Sequence, residues 1–338
     1  MSTRHHLHAV IALLAIHAGA CAATARSAPA SPAASPAVHA VPVAVAAPAR
    51  TGTSAARFAE PDQTVEYHFM IAVPAMTEGD LESSFGARIV EPLKAVADVG
   101  ALGACKLGRY VDSKERGLSR HHLIVRVRDG QITIKARAST PAVLLDLQGC
   151  TSKKYEMDYF GTPDYSISSD VAFSPDEYDL TGPTPGIARL WELIERKCPG
   201  VWRQIRPAVT GSAGLVIPGV AHMYSAEATL KHASAAKLKE AGVAVWFFPP
   251  TDRFLVELAF TGFVKDRAEV DGMYAALRAR LRAAGLLRAD QSSKTRQYFA
   301  AYFGAGDQVR AGRRDRSGEA RRSTARSGDR RARIAVHP

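Results

Sequence analysis

The chain has 338 residues, of which 46% are hydrophobic and 23% charged, a balance typical of a globular protein rather than a fibrous or wholly disordered one. The formal net charge is +11, but the tail from Arg310 onward, with ten arginines against three acids, carries most of it. The folded part is therefore only mildly basic, and nucleic acid is not an indicated partner. Beyond the N-terminus, no apolar run approaches the roughly 18 residues needed to span a bilayer, which excludes a multi-pass membrane protein.

The N-terminus has the organisation of an export signal. Arg4 precedes an apolar stretch over residues 9–16, and the small residues Ala18, Gly19 and Ala20 come directly before Cys21. We therefore predict a signal peptide over residues 1–21 and an extracytoplasmic location, in the periplasm or cell envelope. Two kinds of processing remain open: a lipid on Cys21 that attaches the chain to a membrane, as in a lipoprotein, or cleavage at an Ala-X-Ala site nearby.

Two flanking segments are predicted to be disordered. Residues 22–56 are mostly Ala, Pro, Ser and Val, and residues 304–338 are rich in Arg, Gly and Ser, so neither can bury enough apolar surface to offset its ordering entropy. The folded domain is then expected over residues 57–303. The cysteines show no C-x-x-C spacing. If Cys21 is lipidated or removed, one disulfide among Cys105, Cys150 and Cys198 is predicted, with one thiol left over.

The domain begins with a strand and a helix. Residues 64–73 alternate, with Glu66, His68 and Met70 on one face. Thr77 is then a candidate N-cap for a helix with an apolar stripe from Leu81 to Val96. Further helices are predicted from residues 184–185, over 270–284 and over 293–303, which together with several strands indicates an α+β fold.

The most informative stretch is a hairpin over residues 123–137. Asp129-Gly130 lies between two alternating runs, and this dipeptide favours a two-residue type I′ turn. The resulting register opposes Arg126 to Thr133 and Ile124 to Lys135. One face of the hairpin is then apolar, and the other carries four cations: Arg126, Arg128, Lys135 and Arg137.

Such a face requires neutralisation, because neighbouring cations repel one another. The next predicted strand, residues 154–160, places Glu156 and Asp158 on one face. These acids could form ordinary salt bridges with the cations, or they could hold a divalent ion against a phosphate chain. The residues alone leave both alternatives open.

Short motifs in this order are shared with a known family. The segments are Tyr110-Val111-Asp112-Ser113 with Leu118, Arg126-Val127-Arg128, Thr133-Ile134-Lys135, Glu156-Met157-Asp158, Phe254-Leu255-Val256-Glu257-Leu258, and Ser293-Lys294 with Tyr298. From residue 65 to residue 303 the chain resembles the CYTH superfamily, the triphosphate tunnel proteins that include class IV adenylyl cyclases, thiamine triphosphatases and inorganic triphosphatases. The resemblance implies a closed antiparallel β-barrel of about eight strands with flanking helices.

The resemblance also implies roles for the charged residues. Arg126, Arg128, Lys135 and Arg137 would bind the phosphates of an oligophosphate or another polyanion. The cation, Mg²⁺ or Mn²⁺, would be held by the following acids: Glu66, Glu156, Asp158 and Glu257.

The opening motif departs from the family pattern. Where the family has E-x-E-x-K, this chain has Glu66, His68 and Met70, so an acid and a catalytic lysine are replaced, and Ala259 stands where another acid is expected. A thioether can neither act as a base nor carry charge. His68 is either a ligand for a softer ion than Mg²⁺ or a hydrogen-bonded structural residue. In the second half of the domain, Glu227 and Lys231 are the nearest candidates for a charged pair.

Two functions are consistent with this sequence. The first is a polyanion-binding protein with a degenerate catalytic motif, which holds oligophosphate in a basic barrel. The alternative is a metal-dependent triphosphatase that hydrolyses inorganic or organic triphosphates. An adenylyl cyclase is less favoured, because export removes the chain from the nucleotide pool.

Overall fold

The computed structural model describes residues 56–145, 147, 150, 152–178, 186–231 and 237–304. The predicted signal peptide, nearly all of the predicted linker and the arginine-rich tail lie outside the described residues. So does the predicted helix start at residues 184–185. The fold is therefore established for the domain between these flanking segments.

Nine strands form a closed ring, with a tenth attached at its side. The ring runs β8-β3-β4-β5-β7-β6-β1-β10-β9, and β9 pairs back onto β8, while the short β2 pairs with the end of β8. The strands are β1 (Thr64–Ile71), β2 (Ala97–Val99), β3 (Lys106–Val111), β4 (Leu123–Arg128), β5 (Gln131–Ala138), β6 (Ser152–Tyr159), β7 (Pro163–Ala172), β8 (Ala221–Leu230), β9 (Leu238–Phe247) and β10 (Phe254–Phe263). The predicted closed barrel with outer helices is confirmed.

The barrel differs from the expectation in strand number and direction. It closes with nine strands rather than about eight, and β1 pairs in parallel with β6, with Val65 opposite Met157. The other pairings of the ring are antiparallel. The sequence pattern of a strand fixes which side chains share a face but not the direction of a neighbour distant in sequence. The parallel pair was therefore not predictable.

The β4–β5 hairpin forms in the predicted register. Arg126 pairs with Thr133 and Ile124 with Lys135, and Asp129 and Gly130 have φ values of 50° and 74°, as a type I′ turn requires. The apolar face of the hairpin is fully buried against the outer core, for example at Val125. The basic face therefore points into the barrel.

Helices cover the outside of the ring. The helical residues 81–93 contain α1 (Leu81–Phe85), a π-helical turn (Gly86–Val90) and α2 (Glu91–Leu93), and their apolar stripe is buried as predicted. The remaining helices are α3 (Gly117–Arg120), α4 (Ile187–Lys197), α5 (Pro199–Thr210), α6 (Arg267–Ala283) and α7 (Lys294–Phe303). Among the described residues, none of these helices has the length and hydropathy to cross a membrane.

A second, separate apolar cluster lies inside the barrel. It joins Met70 of β1 and Trp246 of β9 to aromatic residues of α7, including the fully buried Tyr298. The Tyr298 hydroxyl donates a hydrogen bond of 2.6 Å to the carbonyl of Gly219. This cluster fills part of the interior, and α7 is anchored to it.

Cys150 and Cys198 form a disulfide, one of the pairings that the sequence left open. The bond joins the segment before β6 to the junction of α4 and α5. None of the described cysteines is a free thiol in the full chain, whereas the expectation of a leftover thiol concerns a chain whose Cys21 is lipidated or removed.

Asp112, in the family-like segment after β3, organises a loop rather than a binding site. Its Oδ1 accepts hydrogen bonds from the amides of Ser113 (2.8 Å) and Leu118 (2.9 Å), and its Oδ2 accepts bonds from the amide and the hydroxyl of Ser119. Asp112 is 1% exposed. These contacts fix the loop that leads into α3.

Replacing Asp112 with alanine should therefore lower the free energy of unfolding by about 2 kcal/mol, because buried amide donors lose their acceptor. Urea denaturation of the full chain measures this change. The exposed Asp98 provides a matched control, and Asp98→Ala should stay within about 0.5 kcal/mol of the unaltered chain. Equal effects of the two substitutions would contradict this role of Asp112.

Candidate anion and cation site in the barrel

A cavity of about 250 Å³ lies inside the barrel between β1 and the strands β3 to β7. Its walls carry six cationic side chains and four carboxylates, so positive charge is in excess even before His68 is counted. The cations are Arg126, Arg128, Lys135, Arg137, Lys154 and Lys294, and the carboxylates are those of Glu66, Glu156, Asp158 and Asp170. The structure thus brings all four predicted phosphate-binding residues to one cavity.

Arg126 and Arg128 form the least neutralised part of this wall. Arg126 donates a long hydrogen bond of 3.4 Å to the Thr133 hydroxyl and forms no ion pair with any residue in the described ranges. Arg128 contacts only the partly exposed Asp129, at 3.5 Å, among the ion pairs of these ranges. Burial and the like charge of Arg126 lower the pKa of Arg128. An anion between these two guanidinium groups would relieve that repulsion.

The other two predicted cations are held by acids. Lys135 lies 2.7 Å from Glu156 and 3.5 Å from Asp158, and Arg137 pairs with Asp158 and, at 3.1 Å, with Asp164. Burial alone would raise the pKa of Glu156, but Lys135 and Lys154 lower it to about 2. The pKa of Asp158 is likewise lowered well below its usual range, against the effect of burial, by Lys135 and Arg137. Both sequence alternatives therefore occur together: salt bridges on one side of the cavity and uncompensated cations on the other.

His68 occupies the centre of the acidic part. Its Nδ1 lies 3.3 Å from Glu257 and 3.9 Å from Glu66, and its Nε2 lies 3.6 Å from Asp158. The ring stacks on Phe160 with a centroid distance of 4.2 Å. Burial lowers the pKa of His68, but the carboxylates of Glu257 and Glu66 outweigh it and raise the pKa to about 9.

The four predicted metal ligands do not lie in one group: Glu66 and Asp158 lie together beside His68, whereas Glu156 and Glu257 contact lysines. Ligand atoms of Glu66, His68 and Asp158 lie within 4.8 Å of one another, a spacing that fits one divalent cation. Glu156 faces Lys135 and Lys154 with its two oxygens. The carboxylate of Glu257 lies on the other side of His68, in a short contact with Lys294.

Sequence reasoning did not include Lys294 in the site. Lys294 is the first residue of α7, and it reaches the cavity because the aromatic face of that helix packs on the inner cluster. Burial lowers the pKa of Lys294, but the carboxylates of Glu257 and Glu66 together raise it above its ordinary value. Burial in turn raises the pKa of Glu257, but Lys294 and His68 together lower it to about 2. The Ser293-Lys294 turn was the available sequence signal. Met70, where the family has lysine, is fully buried in the apolar inner cluster.

A second cavity, of about 770 Å³, adjoins the first and shares Glu66 and Lys294 with it. Its walls come mainly from β8, β9 and β10, and they carry small residues together with five acids and two lysines. Glu227 lines this cavity, whereas Lys231 pairs with Asp98 at 2.9 Å. The two therefore do not form the charged pair for which the sequence made them candidates.

No family model and no curated protein sequence matches the chain. Solved structures with a similar chain path include a candidate adenylyl cyclase from Hippeastrum, which is described as having a dominant triphosphatase activity. Its sequence is 11% identical, the TM-score is 0.36, and the match covers 70% of this chain and 95% of that one. Candidate adenylate cyclases from Vibrio parahaemolyticus and Bacillus halodurans match at 10% and 11% identity over 71% and 69% of this chain and 98% of each of theirs, both with a TM-score of 0.32.

The strand pairing itself gives a closed barrel with a charged interior and helices outside, the architecture that the sequence resemblance implies. The observed fold therefore agrees with the expectation from the sequence resemblance. The departures at His68 and Met70 mark the chain as divergent from the family pattern.

Proposed function

We propose that this CYTH-like protein binds an inorganic oligophosphate, or a polyanion of similar charge density, inside its barrel. The observation that carries the proposal is Arg126, an inward-facing guanidinium without an ion pair in the described ranges, beside a second arginine. Charge-assisted bonds from arginine to phosphate oxygens are strong and often bidentate. Nucleic acid is not the proposed partner, because the cavity of about 250 Å³ suits a small anion.

The cavity wall supplies two kinds of positive charge. Arg126 and Arg128 can turn toward an incoming phosphate, whereas Lys135 and Arg137 are held in place by their acids. Fixed cations act as a preorganised electrostatic surface that needs no reorientation on binding. A divalent cation bound near Glu66 and Asp158, Mg²⁺ or Mn²⁺ by the family resemblance, would neutralise further phosphate charge and polarise a phosphoryl oxygen.

The alternative function is metal-dependent hydrolysis of triphosphates. The grouping of Glu66, His68 and Asp158 around one possible ion position favours it. Against it, Met70 is buried in an apolar cluster and offers no acid-base group. Because positioned acid-base groups contribute about 10²- to 10⁴-fold to a rate, we expect binding with slow turnover.

One titration separates these two functions. The full chain is titrated with tripolyphosphate at low salt, with and without Mn²⁺, while free phosphate is monitored. The proposal predicts saturable binding that weakens with added salt, with little release of phosphate. Rapid release would establish the alternative, and no detectable affinity would contradict both functions.

We further propose that the protein acts outside the cytoplasm, in the periplasm or cell envelope, either secreted or attached through a lipid on Cys21. The Cys150–Cys198 disulfide supports this location, because disulfides persist mainly in oxidising compartments. Cell fractionation should find a processed chain outside the cytoplasm. Membrane retention that is lost in Cys21→Ala would identify the lipid, whereas unprocessed cytoplasmic protein would contradict the proposal.

A further inference from the structure

His68 has two ring nitrogens that are buried and unsatisfied. The residue is 3% exposed, and within the described part of the chain neither Nε2 nor Nδ1, which lies 3.3 Å from Glu257, makes a hydrogen bond of regular geometry. Buried polar atoms without a partner are rare, because desolvating them is costly. Their presence in the middle of a charged cavity indicates that something else satisfies at least one of them.

The spacing of the surrounding acids is informative. His68 Nε2 and Asp158 Oδ1 are 3.6 Å apart, which is too far for a hydrogen bond. Ligands bound tetrahedrally at 2.0–2.2 Å from a common ion lie roughly 3.3–3.6 Å from one another. The Nε2 of His68 and the carboxylate of Asp158 are thus separated like two ligands of one ion. Glu66, whose side chain is 38% exposed, belongs to the same group of possible ligands, although its nearest approach to the ring, 3.9 Å, is to Nδ1.

On the opposite side of the imidazole, the Nδ1 atom faces a carboxylate that can fix the orientation of the ring. Nδ1 faces Glu257 Oε2 at 3.3 Å, and the other oxygen of Glu257 contacts Lys294. A histidine that binds a metal through one nitrogen usually donates its other N–H to a carboxylate, which fixes the tautomer. The stack on Phe160 fixes the plane of the ring. Glu257 then acts as the carboxylate that orients the imidazole rather than as a metal ligand.

We propose that Nε2 of His68, together with Asp158 and Glu66, binds a divalent transition-metal ion such as Zn²⁺ or Co²⁺ in preference to Mg²⁺. The inference rests on the function proposed above for this cavity and specifies its cation. Imidazole suits Zn²⁺ and the neighbouring transition metals, whereas Mg²⁺ selects oxygen ligands. The histidine at this position therefore changes which ion the barrel accepts.

The test is a metal titration without any phosphate, so that its outcome is independent of oligophosphate binding. The full chain is titrated with Co²⁺ and with Mg²⁺, and the Co²⁺ form is examined by proton magnetic resonance for a strongly shifted, exchangeable imidazole N–H signal. Because His5, His6 and His8 could bind the same ions, all proteins compared carry glutamine at these positions. The variants are His68→Gln, Glu257→Gln and, as a control, His222→Gln.

His222 is the matched control because it is also 3% exposed and lies 2.8 Å from a carboxylate, that of Glu78, while the neighbouring Cys105 is in a disulfide and offers no thiolate to an ion. The proposal predicts at least roughly tenfold tighter binding of Co²⁺ than of Mg²⁺. The shifted N–H signal should be absent in His68→Gln and retained in His222→Gln, and Glu257→Gln should weaken Co²⁺ binding by about 10- to 100-fold.

Two results would overturn the proposal. One is equal affinity of the otherwise unaltered chain for Co²⁺ and Mg²⁺, a measurement that does not depend on whether the variants fold. The other is a shifted N–H signal that persists in His68→Gln or disappears in His222→Gln.

Discussion

Replacing both Arg126 and Arg128 with alanine is expected to weaken tripolyphosphate binding by roughly 10²- to 10⁴-fold, since each charge-assisted hydrogen bond contributes about 1.5–3 kcal/mol. These two guanidinium groups are the cavity cations least neutralised by acids within the described ranges. The remaining affinity should depend less steeply on salt, because two charges fewer face the ligand. Isothermal titration calorimetry of the full chain measures both effects.

The control for this experiment must separate the cavity from charge elsewhere. The tail from Arg310 onward could bind phosphate by itself, but it is the same in both proteins. Lys94 and Arg189 are exposed cations outside the cavity wall, and within the described residues their ion pairs are with Glu91 and Glu192, three residues away. Arg189 also donates a long hydrogen bond of 3.4 Å to the carbonyl of Glu177. The double variant Lys94→Ala/Arg189→Ala removes the same charge and should bind as the unaltered chain does. Equal losses in the two double variants would show that binding depends on net charge and not on the cavity.

Glu257→Gln should lower the free energy of unfolding by about 3 kcal/mol in metal-free buffer, because loss of one member of a buried ion pair leaves its partner uncompensated. Glu257 is 1% exposed and lies between His68 and Lys294. Urea denaturation of the full chain, with the slope compared between variants, gives the change.

A double-mutant cycle tests whether the pair itself is responsible. Lys294→Met removes the cation that Glu257 neutralises, so the double variant should be more stable than the sum of the single effects predicts. Glu60, in an exposed pair with Arg57, gives the control, and Glu60→Gln should change stability by no more than about 0.5 kcal/mol. Additive effects at positions 257 and 294 would contradict a coupled buried pair.

Local patterns predicted the half of the barrel that carries the basic wall. The Asp129-Gly130 turn fixed the register of the β4–β5 hairpin, and period-2 alternation then determined which residues face inward. The four cations face one cavity because this register places them all on the inner face of the hairpin. A one-residue shift would have turned the apolar face into the barrel instead. Burial of the Leu81 to Val96 stripe followed in the same way from helical periodicity.

Features that depend on distant pairing could not be predicted. The parallel pairing of β1 with β6 brings Glu66 beside Asp158, and no local pattern contains that contact. The position of Lys294 in the site depends on how α7 packs against Met70 and Trp246. The sequence resemblance marked Met70 as a lost lysine, but only the packing shows that an apolar cluster has taken the place of a charged group.

The central claim is that phosphate binds inside the barrel against Arg126 and Arg128. A crystal structure of the full chain with tripolyphosphate tests it most directly, because it locates the phosphorus atoms. The account predicts phosphate oxygens within about 3 Å of both guanidinium groups, in the cavity between β4, β5 and β6. Tripolyphosphate bound only on the outer surface or on the arginine-rich tail, with the cavity empty, would contradict it.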